Sequence, residues 1–175
     1  PLMKKQAKKI NWQPKHVGKL MQDWLNNMQD WNISRKRFWG LPLPFYECPC
    51  GNTEIIGSLK ELKQKATNKK TVDSLPELHK PWIDEIKIKC PKCKKEVSRI
   101  PEVGDCWLDA GIVPFSTLKY FKDKKYWKKW FPAELVIEMR AQTRLWFYAL
   151  LFMSVTLENT TPYKNVFAYE EVRDE

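Results

Sequence analysis

Apolar side chains recur at Val17, Leu20, Met21, Trp24, Leu25 and Met28, a three-and-four spacing that places all six on one side of a helix over residues 14–28. A second helical pattern covers residues 141–157. There Trp146, Leu150, Met153 and Leu157 share one face while Leu145, Ala149 and Phe152 cover the next, so this helix is buried on more than one side. Short apolar runs flank it: Leu135-Val136-Ile137 before, and Val166-Phe167-Ala168-Tyr169 after a Thr160-Thr161-Pro162 turn. Strand, helix, strand is the unit of a parallel α/β sheet, and such sheets bind ligands at the carboxyl ends of their strands. Glu138, Gln142 and Trp146 fall at that edge, either as site residues or as a capping carboxylate and a core tryptophan.

Between these patterns the periodicity shortens. Residues 41–46 and 52–56 read as two strands of a hairpin, and Ser58 with Glu61 three residues on forms a capping box for a short helix over 59–66. Residues 68–81 are polar and interrupted at Pro76 and Pro81, a loop that leaves His79 in solvent. Residues 84–89 alternate Ile86 and Ile88 with charge, as a half-exposed strand does. Arg35-Lys36-Arg37-Phe38-Trp39-Gly40 is either a surface for phosphates and rings, or a corner with Trp39 buried and Gly40 bending the backbone ahead of Pro42 and Pro44. Val103 to Gly111 combines acids, a tryptophan and two glycines and is a candidate site loop, although Gly and Asp are also common turn residues. Residues 115–130 are aromatic and lysine-rich, a short helix and a surface turn.

The chemistry of the middle region lies in two cysteine clips, Cys48-Pro49-Cys50-Gly51 and Cys90-Pro91-Lys92-Cys93. Four thiolates complete the tetrahedral shell of one zinc ion and leave no coordination position open, which makes the site structural rather than catalytic. Separate buried or disulfide-bonded cysteines are the alternative, and paired clips in an otherwise cysteine-poor chain favour metal. Cys106 stands outside both clips and reads as a small buried hydrophobe.

Charge alters the picture next. The 175 residues carry 31 Lys and Arg against 21 Asp and Glu, a formal charge of +10, with nine Trp. This composition suits a polyanionic partner, or equally a solvated lysine surface. The N-terminus is basic rather than apolar, so no signal peptide is expected, and the apolar run 145–157 is too short to span a bilayer. A soluble, cytoplasmic protein is expected. Its start without Met and its ending at residues 170–175 without a terminating element suggest a piece of something longer.

Asp30-Trp31-Asn32-Ile33-Ser34-Arg35-Lys36-Arg37-Phe38-Trp39-Gly40-Leu41-Pro42-Leu43-Pro44 resembles the segment of the class I aminoacyl-tRNA synthetases for branched aliphatic amino acids where the chain returns from the editing insertion. Gly57 to Leu62, Leu78 to Glu85 and the second clip look like the isoleucyl-tRNA synthetases rather than the valyl or leucyl ones. Asp105 to Gly111 and Gln142 to Tyr148 complete a series that runs nearly the whole chain in family order. The resemblance implies the second half of a Rossmann-like nucleotide-binding fold with an inserted β-rich zinc lobe. It divides the chain into a helix and return segment (1–45), the zinc-binding insertion (46–100) and the catalytic half (101–175). It further implies a ligase that activates isoleucine with ATP and Mg and transfers it to tRNA. Trp107 and Trp146 match the tryptophans that wall the isoleucine pocket, and Glu138 and Gln142 match positions lining the aminoacyl-adenylate site. The cysteines match a structural zinc insertion beside it. Such an apolar pocket discriminates poorly against valine, a limit for which this family is itself the standard example and the reason it edits.

Two departures stand out: Met139 occupies a position where glycine is usual, and Ala141 one where aspartate is usual. The family's His-Ile-Gly-His and Lys-Met-Ser-Lys-Ser signatures, which stabilise phosphate charge, are not in this sequence. The expectation is therefore a fragment inactive alone. A free-standing zinc-stapled RNA-binding module and the matching fragment of a valyl or leucyl enzyme are the competing readings.

Overall fold

The chain opens with helix α1 (Leu2–Ala7), strand β1 (Asn11–Gln13) and helix α2 (Lys15–Asn27). It continues through β2 (Ser34–Arg35), β3 (Phe45–Glu47), β4 (Thr53–Ile55), α3 (Leu59–Lys65), α4 (Lys69–Asp73), β5 (Lys87–Lys89), β6 (Glu96–Ser98) and β7 (Val103–Gly104). Helices α5 (Cys106–Ser116) and α6 (Lys124–Trp130), strand β8 (Ala133–Met139), helix α7 (Trp146–Glu158) and strand β9 (Tyr163–Tyr169) follow. This computed structural model describes residues 1–171 and 174, so the chain ending singled out above lies partly outside the described residues. Two units emerge, Pro1–Trp31 with Trp107–Glu175, and Asn32–Cys106.

The first unit is built on a parallel sheet in the order β1-β9-β8. The expected strand-helix-strand unit is β8-α7-β9, with both strands longer than their apolar centres alone indicate. Strand β1, three residues with no strand pattern of its own, adds to β9 at the register Trp12–Val166. Register partners in a parallel sheet share a face, so Trp12, Val136, Val166 and Ala168 turn one way. On that side they join Val17, Met21 and Leu25 of α2 and Phe147, Leu150 and Leu151 of α7 in the main core. The periodicity of 14–28 thus finds its buried face, and α7, apolar nearly all round, is buried nearly all round. Gly18 allows α2 to approach the sheet closely: a Cβ there would sit 2.6 Å from Cδ1 of Trp12. The opposite side of the sheet presents Leu135, Ile137, Phe167 and Tyr169, each between 42% and 56% exposed.

Residues 141–157 do not form one helix. A 3-10 turn at Arg140–Arg144 precedes α7, and Leu145, at φ −121° and ψ −108°, separates the two. The helix ends on Asn159 in the left-handed region, and Ser154 Oγ donates to the carbonyl of Thr160 at 2.7 Å. A second apolar cluster in this unit gathers Phe115, Trp127, Phe131 and Met153.

The second unit consists of three short antiparallel pairs, β3-β4, β5-β6 and β2-β7. The hairpin expected around the first clip is present, but its first strand begins only at Phe45, because Pro42 and Pro44 have no N–H for a ladder. The capping box forms as read: Glu61 N donates to Ser58 Oγ at 3.2 Å. The loop expected over 68–81 contains helix α4, since the Asn68 side chain accepts from the backbone N–H groups of Lys70 and Thr71 while Val72 packs inward. A 3-10 turn at Trp82–Glu85 delays the strand expected from 84, which starts at Lys87. Residues 103–111 are not a loop either. They form β7 and the start of α5, with Asp105 4% exposed and paired with Arg35, so this aspartate closes the β2-β7 ladder. Gly40, at φ +144°, makes the expected bend, and a Cβ on it would meet Val103 Cγ2 at 2.9 Å. Trp39 is 69% exposed, so the buried-corner reading fails for that side chain.

Candidate functional site

The thiol cluster is assembled by two turns of the same design. Each clip caps a hairpin, and in each the residue after the second cysteine has positive φ, Gly51 at 81° and Lys94 at 65°. The backbone closes alike: Cys48 N donates to Asn52 O at 2.8 Å, and Cys90 N to Lys95 O at 2.9 Å. All four sulfurs lie within 4.8 Å of one another. The cross-clip separations are 3.4 Å for Cys48–Cys93 and 3.7 Å for Cys50–Cys90. A disulfide needs about 2.05 Å. Four thiolates at about 2.3 Å from one tetrahedral ion lie about 3.8 Å apart. The spacing therefore excludes disulfides and fits a metal ion held by four sulfurs.

Backbone hydrogen bonds from Cys93 and Lys92 hold the Cys90 thiol down at about 7 against the opposing effect of burial. At Cys48 the backbone N–H of Cys50 acts in the same direction, but burial and the three neighbouring thiols push the group up to about 12. Crowded thiols that cannot all ionise together are stabilised by a shared cation. Cys106, expected to be a buried hydrophobe, is exposed, because it stands at the first position of α5.

The second candidate constellation lies in the first unit. Trp146 opens α7, and its Nε1 donates to the carbonyl of Ala110 in α5 at 3.1 Å. One residue further along α5, a Cβ on Gly111 would sit 2.7 Å from the carbonyl oxygen of Ala149. Only glycine permits that approach. Trp107 and Gly111 are four residues apart and share a face of α5, as Trp146 and Ala149 do on α7, so the helix faces that carry the two tryptophans converge. Both rings are half-buried.

The other two expected site residues have local hydrogen bonds. Gln142 Oε1 accepts from Trp146 N at 3.0 Å, which caps α7. Glu138 Oε1 accepts from Met139 N and from the Tyr169 hydroxyl, both at 3.1 Å, and this bond raises the Tyr169 hydroxyl above its ordinary value. At the carboxyl ends of β8 and β9 a cleft of about 490 Å³ opens against α2, lined by Asp23, Trp24, Met139, Arg140, Ala141 and Glu170 among others. Arg140 pairs there with Glu170 at 3.0 Å.

Sequence reasoning missed two residues that line this cleft, Asp23 in α2 and Arg140 just past the end of β8, and only Arg140 had a signal, its position at a strand end. It also missed Arg99, the buried cation of the second unit. Its side chain is 1% exposed; it pairs with Asp84 and donates to the carbonyls of Leu43 at 3.1 Å and Glu102 at 2.7 Å.

The sequence matches the family of tRNA synthetases class I (I, L, M and V) over residues 1–175. It is 47% identical over 169 residues to the isoleucine–tRNA ligase of Clostridium novyi (strain NT) and 45% identical over 169 residues to that of Clostridium tetani (strain Massachusetts / E88). Each alignment covers 95% of this chain and 16% of the relative, so the chain spans 16% of the length of these curated relatives. In three dimensions it is similar to a chain in the crystal structure of the ternary complex of Agrobacterium radiobacter K84 agnB2 LeuRS-tRNA-LeuAMS. That likeness has a TM-score of 0.55 and 21% identity over 84% of this chain and 20% of that one, and it bears on the fold alone. The chain belongs to the class I tRNA synthetases of the I, L, M and V group, and within that group its sequence is that of a stretch of the isoleucine–tRNA ligases.

Proposed function

We propose that this stretch carries the isoleucine pocket and part of the aminoacyl-adenylate site of an isoleucine–tRNA ligase, a cytoplasmic enzyme that charges tRNA with isoleucine using ATP and Mg. The observation that carries the reading is the Trp146–Ala110 hydrogen bond beside the Gly111–Ala149 approach, which joins the helices bearing the two pocket tryptophans. Trp107 and Trp146 wall the apolar side chain of isoleucine and exclude water from it. Glu138 and Gln142, at the carboxyl end of β8, face the adenylate. Isoleucine activation joins its carboxylate oxygen to the α-phosphorus of ATP and releases pyrophosphate. The groups that stabilise the phosphate charge in that step are not in this sequence, so the 175 residues alone form no adenylate.

In this reading residues 1–45 lead into the core, 46–100 form the insertion, and 101–175 supply the second half of the Rossmann-like domain. The ion held by Cys48, Cys50, Cys90 and Cys93 is zinc, and its role is to brace the insertion. The exposed sheet face of Leu135, Ile137, Phe167 and Tyr169 supports a longer protein as well. Parallel sheets are covered on both faces, and the relatives are far longer than this chain.

The test uses the protein at its natural length. Trp146→Ala should raise the KM for isoleucine in pyrophosphate exchange about tenfold or more, with the KM for ATP unchanged, and Trp146→Phe should recover most of the loss. An unchanged isoleucine KM in Trp146→Ala, or isoleucine-dependent exchange by the 175-residue chain alone, refutes the reading.

A further inference from the structure

A surface that the proposed activity does not use lies on α6 and the turn before it. Lys119, Lys122, Lys124, Lys125, Lys128 and Lys129 all stand exposed there, and Asp123 is the only acid of the segment. That carboxylate is spent as the helix cap, accepting from Tyr126 N at 3.0 Å. The acid facing the segment from α7, Glu158, is taken by Lys124 and the Tyr120 hydroxyl. Among the described residues no ion pair engages Lys122, Lys125, Lys128 or Lys129.

Aromatic rings are interleaved with these cations. Tyr126 and Trp130, one helical turn apart, lie 6.3 Å between centroids at 52°, and Trp130 is 53% exposed. Phe121 in the preceding turn is 92% exposed. The ammonium of Lys119 sits 4.6 Å from the Tyr126 ring centroid, and that of Lys129 lies 5.6 Å from the Trp130 ring. Lys125 and Lys129, one helical turn apart, border the ring pair, and Lys128 lies on their other side, so cations and rings follow one another around the exposed face of α6.

We propose that α6 and its preceding turn bind a single-stranded segment of RNA, with Lys125, Lys128 and Lys129 on the phosphates and Tyr126 and Trp130 stacking on unpaired bases. The pattern of cations beside open ring faces is what sequence-tolerant single-strand binding requires. A duplex hides its bases and has no use for the rings. A membrane surface fits less well, because a helix lying in lipid inserts its apolar face. Here that face is Trp127, 3% exposed and stacked on Phe131 at 4.5 Å in the protein's own core. This inference stands apart from the proposed activity and needs no part of the adenylate site.

The experiment compares the natural-length protein with Lys125→Gln/Lys128→Gln/Lys129→Gln and with Tyr126→Ala/Trp130→Ala. The probes are a fluorescein-labelled oligouridylate of about 12 nucleotides, an RNA duplex of the same length, and vesicles of phosphatidylcholine and phosphatidylglycerol, titrated from about 50 to about 300 mM salt. All five side chains are exposed, so the fold should persist, and circular dichroism checks it. Loss of three phosphate contacts should weaken oligouridylate binding about tenfold and reduce the slope of log affinity against log salt by about 2. The ring variant should lose roughly fivefold or more on the oligouridylate and nothing on the duplex. Unchanged oligouridylate affinity and slope in the lysine variant would overturn the proposal. So would equal losses on duplex and single strand in the ring variant, or vesicle binding abolished by these substitutions while RNA affinity is unchanged.

Discussion

The two units fall short of self-sufficiency in opposite ways. The second is deficient inside: its ladders are two or three residues long, isolated hairpins of that size are marginal in water, and its core contains two of the cluster cysteines, Cys48 and Cys90, beside Ile86, Ile88 and Val97. The first has a continuous aromatic and aliphatic core, from Trp12 and Val17 through Phe147 and Leu151 to Tyr163, but leaves one side of a parallel sheet bare. One deficit can be met by an ion, the other only by more protein. Local sequence therefore encodes the first remedy, as two clips with matching turns, and cannot encode the second.

The largest expected effect breaks this comparison if it fails. Replacing Cys90 with Ser, or removing metal with a strong chelator, should unfold the second unit, because structural sites of this kind contribute on the order of 10 kcal/mol. Amide exchange at Ile88 and Val97 should then rise to unprotected rates, while Phe147 and Leu151 in α7 keep their protection. Equal loss of protection in both units would show that the division is not energetic. Lower pH should favour the metal-free state, since the thiols must lose protons to bind, and a titration with released metal as readout gives that direction.

Phe147→Ala attacks the other side of the comparison. The ring is fully buried between Trp12 and Tyr163, with centroid distances of 6.2 and 5.9 Å, and its removal should cost about 3–5 kcal/mol. The loss should appear in the denaturation midpoint of the first unit and leave metal content at one ion per chain. Smaller still is the effect expected for Leu135→Thr with Ile137→Thr on the bare face. In the 175-residue chain these exposed positions should change stability by no more than about 0.5 kcal/mol and should improve solubility. At natural length the same pair should destabilise by about 2 kcal/mol or more if the face is covered there. Identical behaviour in both contexts would mean that nothing covers it.

What the sequence disclosed follows the same division. The clips, the capping box at Ser58, the faces of α2 and α7 and the strand pair β8-β9 were legible because spacing alone determines them. Three kinds of feature were not. Strand β1 has three residues and exists only because β9 offers an open edge at Asn165 to Phe167. Asp105 looked like a site residue because its role, pairing with Arg35 across seventy positions, has no local signature. Arg99 was unremarkable in a lysine-rich stretch, yet it is the group on which Asp84 and two carbonyls converge. Gly111 reads in the sequence as part of a candidate site loop or as a turn glycine, whereas it permits the close passage of α5 over Ala149.

The smallest effect concerns a contact wholly inside the first unit. Glu158, at the end of α7, accepts from Lys124 and from the Tyr120 hydroxyl, and these bonds hold its carboxyl below the ordinary range. A carboxyl depressed in the folded state contributes stability that is fully present above its unfolded pKa, about 4.3, and is lost as pH falls through the lower folded value. Because Lys124 is 42% exposed, the contribution should be no more than about 1 kcal/mol. Glu158→Gln should therefore lower the unfolding midpoint of the first unit slightly at neutral pH, and the difference should shrink as pH falls below the unfolded value and vanish once it has passed the depressed folded one. The same substitution releases Lys124 from its carboxylate. If that lysine then joins its neighbours on α6, oligouridylate binding should tighten slightly as stability falls, a pair of opposite small shifts that no purely structural role for Glu158 produces.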